Sequence, residues 1–478
     1  MAPAIPAAAV PAAMERPHFI GIGGAGMSGI AKILAQRGAK VAGSDAKDSA
    51  TAQALRALGA TVHIGHAAHH LADDATAVVV SSAIRADNPE LARAAELSIP
   101  VVHRSDALAS LMDGLRAIAV AGTHGKTTTT SMLAVALTEL GLDPSYAIGG
   151  DLAGPGTNAH HGEGQVFVAE ADESDRSFQK YDPEVAIVLN VELDHHANYA
   201  SMDEIYESFQ AFVAKIRPGG TLVVGEHSGA RELAARVAGR ADLTVITVGE
   251  TEGSDAWIRS ITPHGMTSAV TVVLDGVEHT FTVSVPGRHY AHNAAAALAA
   301  GARVGIDPAA LAQALTAYTG VGRRLQLKGE AAGVQVIDSY AHHPTEMTAD
   351  LEAMRGAAAG TSHAEGHGAG SRLLVVFQPH LFSRTQELGK EMGDALALAD
   401  ASVVLDIYPA REDPIPGITS DLIITAARAA GADVTAVHDK GAVPDVIAGM
   451  AKPGDLVLTM GAGDVTDLGP QILAHLSK

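Results

Sequence analysis

Short apolar runs recur along the chain, each closed by glycine or a small polar residue, with longer amphipathic or alanine-rich stretches between them. His18-Phe19-Ile20, Val41 to Asp45, Ala77 to Ile84, Val101-Val102, Ile118 to Ala121, Val166 to Ala169, Val185 to Asn190, Val336-Ile337, Leu373 to Phe377, Val403 to Ile407 and Leu456 to Met460 read as buried strands. Thr128 to Leu140, closed by Gly141, and the alanine run opened by Pro286-Gly287 read as helices. This alternation predicts an α/β protein of parallel sheets. From Leu222 to Val285 runs such as Ala269 to Leu274 and Phe281 to Val285 predict a β-rich appendage, with Trp257 packing inside it. Arg355 to Gly370, rich in Gly, Ala and His and without period, predicts a mobile surface insertion.

The chain's 478 residues suggest three domains at roughly 150 each. The expected boundaries are a disordered, proline-broken tail over 1–16 and domains over 17–113, 114–322 and 323–478. Apolar residues make up 47% but aromatics only 4%, so the cores must be aliphatic. A net charge of −21 argues against nucleic acid or an anionic membrane as partner. With no cysteine, disulfide and thiol chemistry are excluded. The tail lacks a basic start, and no run of about 18 apolar residues is present, so a cytoplasmic protein without membrane insertion is expected.

Two glycine-rich corners carry the chemistry. In the first, Gly21, Gly23 and Gly26 fit G-x-G-x-x-G between a strand and a helix, and Asp45 ends the next strand nineteen residues after Gly26. That spacing suits a phosphate on a helix N-terminus and leaves open which nucleotide brings it. In the second, the strand ending at Ala121 meets Gly122-Thr123-His124-Gly125-Lys126-Thr127-Thr128 and then a helix. Backbone N–H groups, a lysine for the outer phosphates and a threonine for magnesium would together cradle a nucleotide. The general phosphate-loop pattern wants glycine at Val120; here the extra glycine is Gly122.

Four carboxylates in six residues, Glu170 to Asp175, end the strand after Val166. They repel one another unless a cation is near, and beside a phosphate loop magnesium is the natural one. His195 follows another strand end within Asp194-His195-His196 and could ligate a divalent ion. His63, His66, His69 and His70 share no single face, and most of them read as surface histidines without a metal.

The loop from Gly122 to Thr130 resembles the nucleotide loop of the Mur ligases, ATP-dependent amide-forming enzymes of peptidoglycan precursor synthesis, and its His124 is most similar to the branch that adds L-alanine to UDP-N-acetylmuramate. Further motifs to Asp464 support the resemblance. It implies a Rossmann-like N-terminal domain for the UDP-sugar, a central P-loop ATPase-type domain and a Rossmann-like C-terminal domain for the amino acid. By resemblance Gly21, Gly23, Gly24, Gly26, Met27, Ser28, Asp45, Ser82 and Ala83 lie at the UDP-sugar. Gly122 to Thr128 (including Thr123, His124, Gly125, Lys126 and Thr127), Asn293, Arg324 and Asp338 would bind ATP. Thr127, Glu170 and His195 would hold one or two Mg2+ ions, for which Mn2+ can substitute, with Glu173 a second-choice ligand.

Tyr340, His342, His380 and Arg384 would face the muramate and the amino acid, with Arg384 on its carboxylate and His342 a base or orienting group. Lys126, His195, His342 and Arg384 are the catalytic set so implied. The chain departs from the family pattern at Tyr290, Leu325, Ser339, Ala341 and Leu381, which touches adenine recognition and amino-acid selectivity. A monomer or weak homodimer is expected. The rival readings are a recycling ligase that joins a murein tripeptide to the same sugar nucleotide, an NAD-dependent oxidoreductase, and a non-catalytic nucleotide switch.

Overall fold

The computed structural model describes residues 10–152, 157–194, 198–364, 371–410 and 412–478. The chain packs into two compact units. One holds the chain up to Arg259 with Thr271–Phe281 and His292–Tyr318; the other holds Ser260–Val270, Thr282–Ala291 and Thr319–Lys478.

The first unit contains a small parallel sheet of β1 (Pro17–Ile20), β2 (Ala42–Asp45), β3 (Thr61–Ile64), β4 (Ala77–Val80) and β5 (Val101–His103), in the order β3-β2-β1-β4-β5. Strand order reverses at β1, with β2 and β3 laid to one side and β4 and β5 to the other, so the loop after β1 opens at a switch point, where open α/β sheets bind ligands. Phe19 faces one core with Ile30 and Leu34, while Ile20 faces another with Val78 and Ala94. Asn88 caps the helix Pro89–Leu97 by accepting from Glu90 N, and Pro89 occupies its first turn, as its missing N–H allows. Order begins before residue 17: Ala12–Met14 forms a 3-10 turn and Met14 is buried in the first core, which shortens the expected tail.

The central sheet runs through β6 (Arg116–Ala121), β7 (Ser145–Ala147), β8 (Ala159–His160), β9 (Val166–Glu170), β10 (Val185–Val188), β11 (Thr221–Val224), β12 (Thr244–Gly249), β13 (Ala256–His264), β14 (Thr267–Leu274) and β15 (Val277–Val283). Its order is β15-β14-β13-β12-β11-β10-β6-β9-β7-β8. The β-rich appendage is therefore two things. β11 and β12 extend the parallel sheet, with the helix Ser228–Arg236 nearby in sequence; the start of β13 still pairs parallel with β12, and β14 alternates buried and exposed positions along its length. The run 228–236 carries Ala and Leu at helical spacing, which the short β-like runs on either side overshadowed.

β6 is buried from Ala117 to Ala121, and fully burying a Val or Ile side chain is worth about 1.5–3 kcal/mol. Aromatics are spent sparingly: Phe178 stacks on Phe212 at 4.8 Å and meets Phe209 edge-on at 5.2 Å. In the helix Arg288–Arg303, Ala294 to Ala300 are all buried, so small side chains let the backbone lie close to its neighbours.

The second unit is built on β16 (Gln326–Ala331), β17 (Val334–Ser339), β18 (Leu373–Phe377), β19 (Ala401–Val404), β20 (Val434–Ala436) and β21 (Leu456–Met460), in the order β16-β17-β21-β18-β19-β20. Only β16 is antiparallel. The helix Pro344–Ala364 runs into the segment expected to be a mobile insertion, because its alanines favour helix over loop. Residues 365–370 of that segment lie outside the described residues.

Candidate active site

The phosphate loop leaves β6 between the ends of β9 and β10, in the middle of the central sheet. Gly122 and Gly125 take φ of +133° and +86°. A Cβ on Gly122 would lie 3.1 Å from Leu189 N, and one on Gly125 would lie 2.9 Å from Asn293 Oδ1, so both conformation and space demand glycine. The helix Lys126–Glu139 starts at once with no side-chain cap, leaving first-turn N–H groups for an anion. The same Gly125 contact shows that Asn293, expected at the nucleotide, does reach the loop.

Asn190, which sequence reading passed over, clamps the loop. His124 N donates to its Oδ1 at 2.7 Å, and its Nδ2 donates to His124 O at 3.1 Å. Thr123 N donates to Asn190 O at 3.3 Å, and Glu192 N donates to Thr123 Oγ1 at 2.9 Å. An asparagine after an apolar strand end was the only signal in the sequence.

Lys126 is largely buried, its side chain 13% exposed, and donates to Gly122 O at 2.7 Å, Thr123 O at 3.2 Å and Glu173 Oε1 at 3.0 Å. Burial alone would lower its pKa, but Glu173, Asp172 and Glu170 outweigh it and hold the ammonium above its ordinary value. Thr127 Oγ1 donates to Glu170 Oε1 at 3.1 Å, and Gly149 N donates to Glu170 Oε2 at 2.7 Å. Burial pushes the Glu170 carboxyl up, against the pull of Lys126 and these donors. A hydroxyl and a half-buried carboxylate adjoining at the loop fit a divalent cation with oxygen ligands. His195, the expected second-metal ligand, lies outside the described residues.

The acidic run is divided between two cations. Glu173 meets Lys126 at 2.8 Å, and Tyr199 OH donates to its backbone oxygen at 2.5 Å. Asp172 and Asp175 each lie 3.2 Å from Arg104 Nη2. Burial would raise the Asp172 pKa, but Lys126, Ser174 and Arg104 bring it below its ordinary value. Arg104 comes from the helix Arg104–Leu111, and a Cβ on Gly26 would sit 3.0 Å from its Nη1. It thus stands between the first glycine loop and the acidic run, another residue the sequence did not single out.

At the first glycine loop, Gly23 N donates to Asp45 Oδ2 at 2.8 Å, so Asp45 braces the loop itself. Gly24 is exposed and Gly26 opens the helix Ala25–Gln36. Met27 and Ser28 were expected at the ligand, but both side chains are buried and their N–H groups bond Gly24 O, as the first helical turn requires. Ser82 and Ala83 are exposed, and Ser82 Oγ donates to Asp175 at 3.1 Å. Of these four histidines, most of them expected at the surface, only His69 is exposed; His63 stacks on His70 at 4.4 Å, and His66 and His70 turn toward the buried Glu90. Their irregular spacing serves a buried anion, which a one-face pattern does not reveal.

In the second unit a polar cluster gathers at the C-terminal ends of β17, β18 and β19. Tyr340 meets His342 edge-on at 5.3 Å, His342 meets His380 at 5.9 Å, and His380 stacks on Tyr408 at 5.8 Å. Arg384 Nη1 is 3.4 Å from His380 Nδ1. Burial, then Arg384, pushes the His380 imidazole down to about 4, so it is neutral at physiological pH. Leu381, where the family pattern has arginine, caps the next helix at φ +71°.

Asp338, expected at the nucleotide, is fully buried and its oxygens are taken by Thr459 Oγ1 and Thr466 Oγ1 at 2.7 Å and Arg323 Nε at 3.4 Å. Its observed work is to fix Arg323, which also donates to Gly461 O at 2.5 Å and lies over the Tyr340 ring at 4.9 Å. Arg324 lies over the same ring at 5.2 Å and 3.7 Å from Glu346. Tyr290 is buried beside His289, a packing residue where the family pattern has asparagine.

A phosphate loop with a carboxylate at its threonine, in a chain that also carries two further, mainly parallel sheets with glycine and polar clusters at their strand ends, defines a three-domain nucleotide-dependent enzyme. The chain belongs to the Mur ligase family: family models described as the Mur ligase family catalytic domain, the Mur ligase middle domain and the Mur ligase glutamate ligase domain match residues 16–116, 120–301 and 323–463. Among its relatives, the UDP-N-acetylmuramate–L-alanine ligase of Streptomyces griseus is 78% identical over 470 residues, covering 98% of this chain and 99% of that one. The crystal structure of the UDP-N-acetylmuramate-alanine ligase from Thermotoga maritima matches at a TM-score of 0.77 and 27% identity, over 96% of this chain and 98% of that one. A murein peptide ligase from Psychrobacter arcticus shares the fold, with a TM-score of 0.66 and 24% identity over 97% and 99% of the two chains. Among the described residues no helix is long and apolar enough to cross a membrane.

Proposed function

We infer that this protein joins L-alanine to the lactyl carboxylate of UDP-N-acetylmuramate, with ATP cleaved to ADP and phosphate. The observation that carries it is the Lys126–Thr127–Glu170 arrangement in a chain 78% identical to a ligase of that name. A carboxylate does not acylate an amine directly. Its oxygen attacks the γ-phosphorus, the bond to the bridging oxygen breaks, and an acyl phosphate results. The amine nitrogen then attacks the acyl carbon, phosphate leaves, and the amine proton passes to a base.

Such phosphoryl transfer is mostly positioning and charge neutralisation. The loop amides from Gly122 to Thr128 and Lys126 hold the phosphates, while Asn293 lies at the loop on the nucleotide side. Thr127 and Glu170 would hold Mg2+, which would supply positive charge to the phosphate oxygens, and His195 would hold a second ion. Gly21, Gly23, Gly24 and Gly26 hold the diphosphate of the sugar nucleotide, with Ser82 and Ala83 at its edge. Arg384 receives the alanine carboxylate, and Tyr340, His342 and His380 surround the reacting amine. A neutral His380 is suited to orient that amine without repelling it. Arg324 is also assigned to ATP binding. The enzyme works in the cytoplasm as a monomer or weak homodimer.

The test is phosphate release from Mg-ATP and UDP-N-acetylmuramate with L-alanine, glycine, L-serine or murein tripeptide, with product mass measured. Release that requires L-alanine supports the assignment. Release with tripeptide alone would move the protein to the recycling ligases, and no release with any acceptor would end the ligase reading.

A further inference from the structure

A carboxylate sits beneath the first glycine loop with no part in the chemistry above. Glu90, on the helix Pro89–Leu97, is completely buried, and so are His18 of β1 and Ser44 of β2. Its Oε2 lies 2.7 Å from His18 Nε2 and accepts from Ser44 Oγ at 2.8 Å; its Oε1 accepts from Ala67 N at 3.2 Å. His66 Nδ1 stands 2.9 Å from Ser44 Oγ and 3.4 Å from Glu90 Oε1, and His70 Nδ1 stands 3.7 Å from Oε1. One carboxylate therefore ties β1, β2 and the turn after β3 together. Burial would raise its pKa, but the His18 and Ser44 hydrogen bonds and Ala67 N bring it below the ordinary carboxylate value.

An apolar side chain would fill this space without the cost of burying a charge. What the carboxylate adds is position, and the loop's own bonding shows whose. Gly21 N and Ile22 N both donate to Ser44 O, at 2.8 and 3.0 Å, and Gly23 N donates to Asp45 Oδ2 at 2.8 Å. Three successive loop amides hang on two adjacent residues at the end of β2. The side chain of one of them, Ser44, is held by Glu90.

We propose that Glu90 is a positioning residue for sugar-nucleotide binding, acting through Ser44 on the loop from Gly21 to Gly24. This rests on the reading that the loop holds the UDP diphosphate. Without Glu90 the Ser44 hydroxyl and His18 lose their shared acceptor, the end of β2 shifts, and the loop amides lose register with the phosphates.

The experiment measures KM for UDP-N-acetylmuramate, ATP and L-alanine, with kcat, in three variants. Glu90→Gln keeps shape but places an amide N–H2 among donors. Ser44→Ala cuts the link to β2 together with the Ser44–His66 contact, leaving Glu90 with His18 and Ala67, and serves if Glu90→Gln does not fold. Gly24→Leu tests the site itself: Gly24 is exposed with its nearest neighbour 3.4 Å from an added Cβ, so the fold tolerates a side chain that a bound diphosphate does not.

All three variants are expected to raise KM for the sugar nucleotide, Glu90→Gln and Ser44→Ala by about 5- to 30-fold, the loss that follows from unsatisfied buried donors. In Glu90→Gln and Ser44→Ala, KM for ATP and L-alanine and kcat are expected to stay within about twofold. If Gly24→Leu alone raises it, the positioning role is wrong while the site stands. If Gly24→Leu leaves it unchanged, the site reading fails and the inference with it. Equal losses in all three KM values and kcat, following melting temperature, would make Glu90 a scaffold residue and overturn the proposal.

Discussion

Asn190→Ala is the sharpest probe of the phosphate loop. The half-buried amide makes two hydrogen bonds to one loop residue, accepting from His124 N and donating to His124 O. A net contribution of about 0.5–1.5 kcal/mol each puts the loss at about 1–3 kcal/mol. That loss falls on the loop alone, because His124 lies between the two glycines that shape it and the strands on either side keep their ladders. At about 1.4 kcal/mol per tenfold, KM for ATP is expected to rise about 5- to 140-fold. KM for UDP-N-acetylmuramate stays near its parent value, since Asn190 bonds nothing in the first sheet. Steady-state phosphate release with ATP varied at saturating co-substrates reads this directly, and ATP titration calorimetry confirms it without turnover. An ATP KM within about twofold of the parent, or equal rises for all three substrates, would refute the view that this amide shapes the nucleotide loop.

Glu170→Gln removes a charge from the proposed metal ligands, and the magnesium concentration for half-maximal phosphate release is expected to rise at least about tenfold; an unchanged magnesium titration would take Glu170 out of the site. Arg323→Ala leaves the buried Asp338 with two threonine hydroxyls and is expected to cost about 1–3 kcal/mol in urea denaturation; no shift in midpoint would mean the Arg323–Asp338 contact contributes nothing. His380 is held at about 4 against an ordinary 6.5, so its contribution to stability is full above 6.5 and is lost as pH falls toward 4. His380→Gln should flatten that acid limb in melting temperature measured between pH 4 and 7, and an unaltered limb would show that His380 titrates normally in the fold.

Periodicity and turn residues made the parallel strands and the two glycine corners legible, because a buried strand followed by glycine leaves few alternatives. Residues that act through other residues were not legible. Asn190, Arg104 and Arg323 bond backbone or carboxylates distant in sequence, and nothing in their neighbourhoods announces a partner. Asp338 shows the reverse error: an acidic residue at a strand end looks like a ligand contact until its burial is known. The histidines from 63 to 70 failed for the same reason, since the group they surround enters from a helix some twenty residues later. The helix through Arg355 was hidden by glycines that interrupt its alanines, where packing along its earlier turns overrides local preference.

Lys126 in this structure already has two loop carbonyls and a carboxylate as partners, so a nucleotide does not find a waiting cation. If Lys126 takes the outer phosphates as proposed, binding is an exchange in which phosphate oxygens replace Glu173 at the ammonium. An incoming group must out-compete an anion already in place, which a monophosphate does poorly and a triphosphate does well. Selection for a long phosphate chain then arises at the lysine, before any residue reads the base. Calorimetric affinities of AMP, ADP and ATP with magnesium should climb steeply in that order, and a flat series would mean that Glu173 yields to any anion.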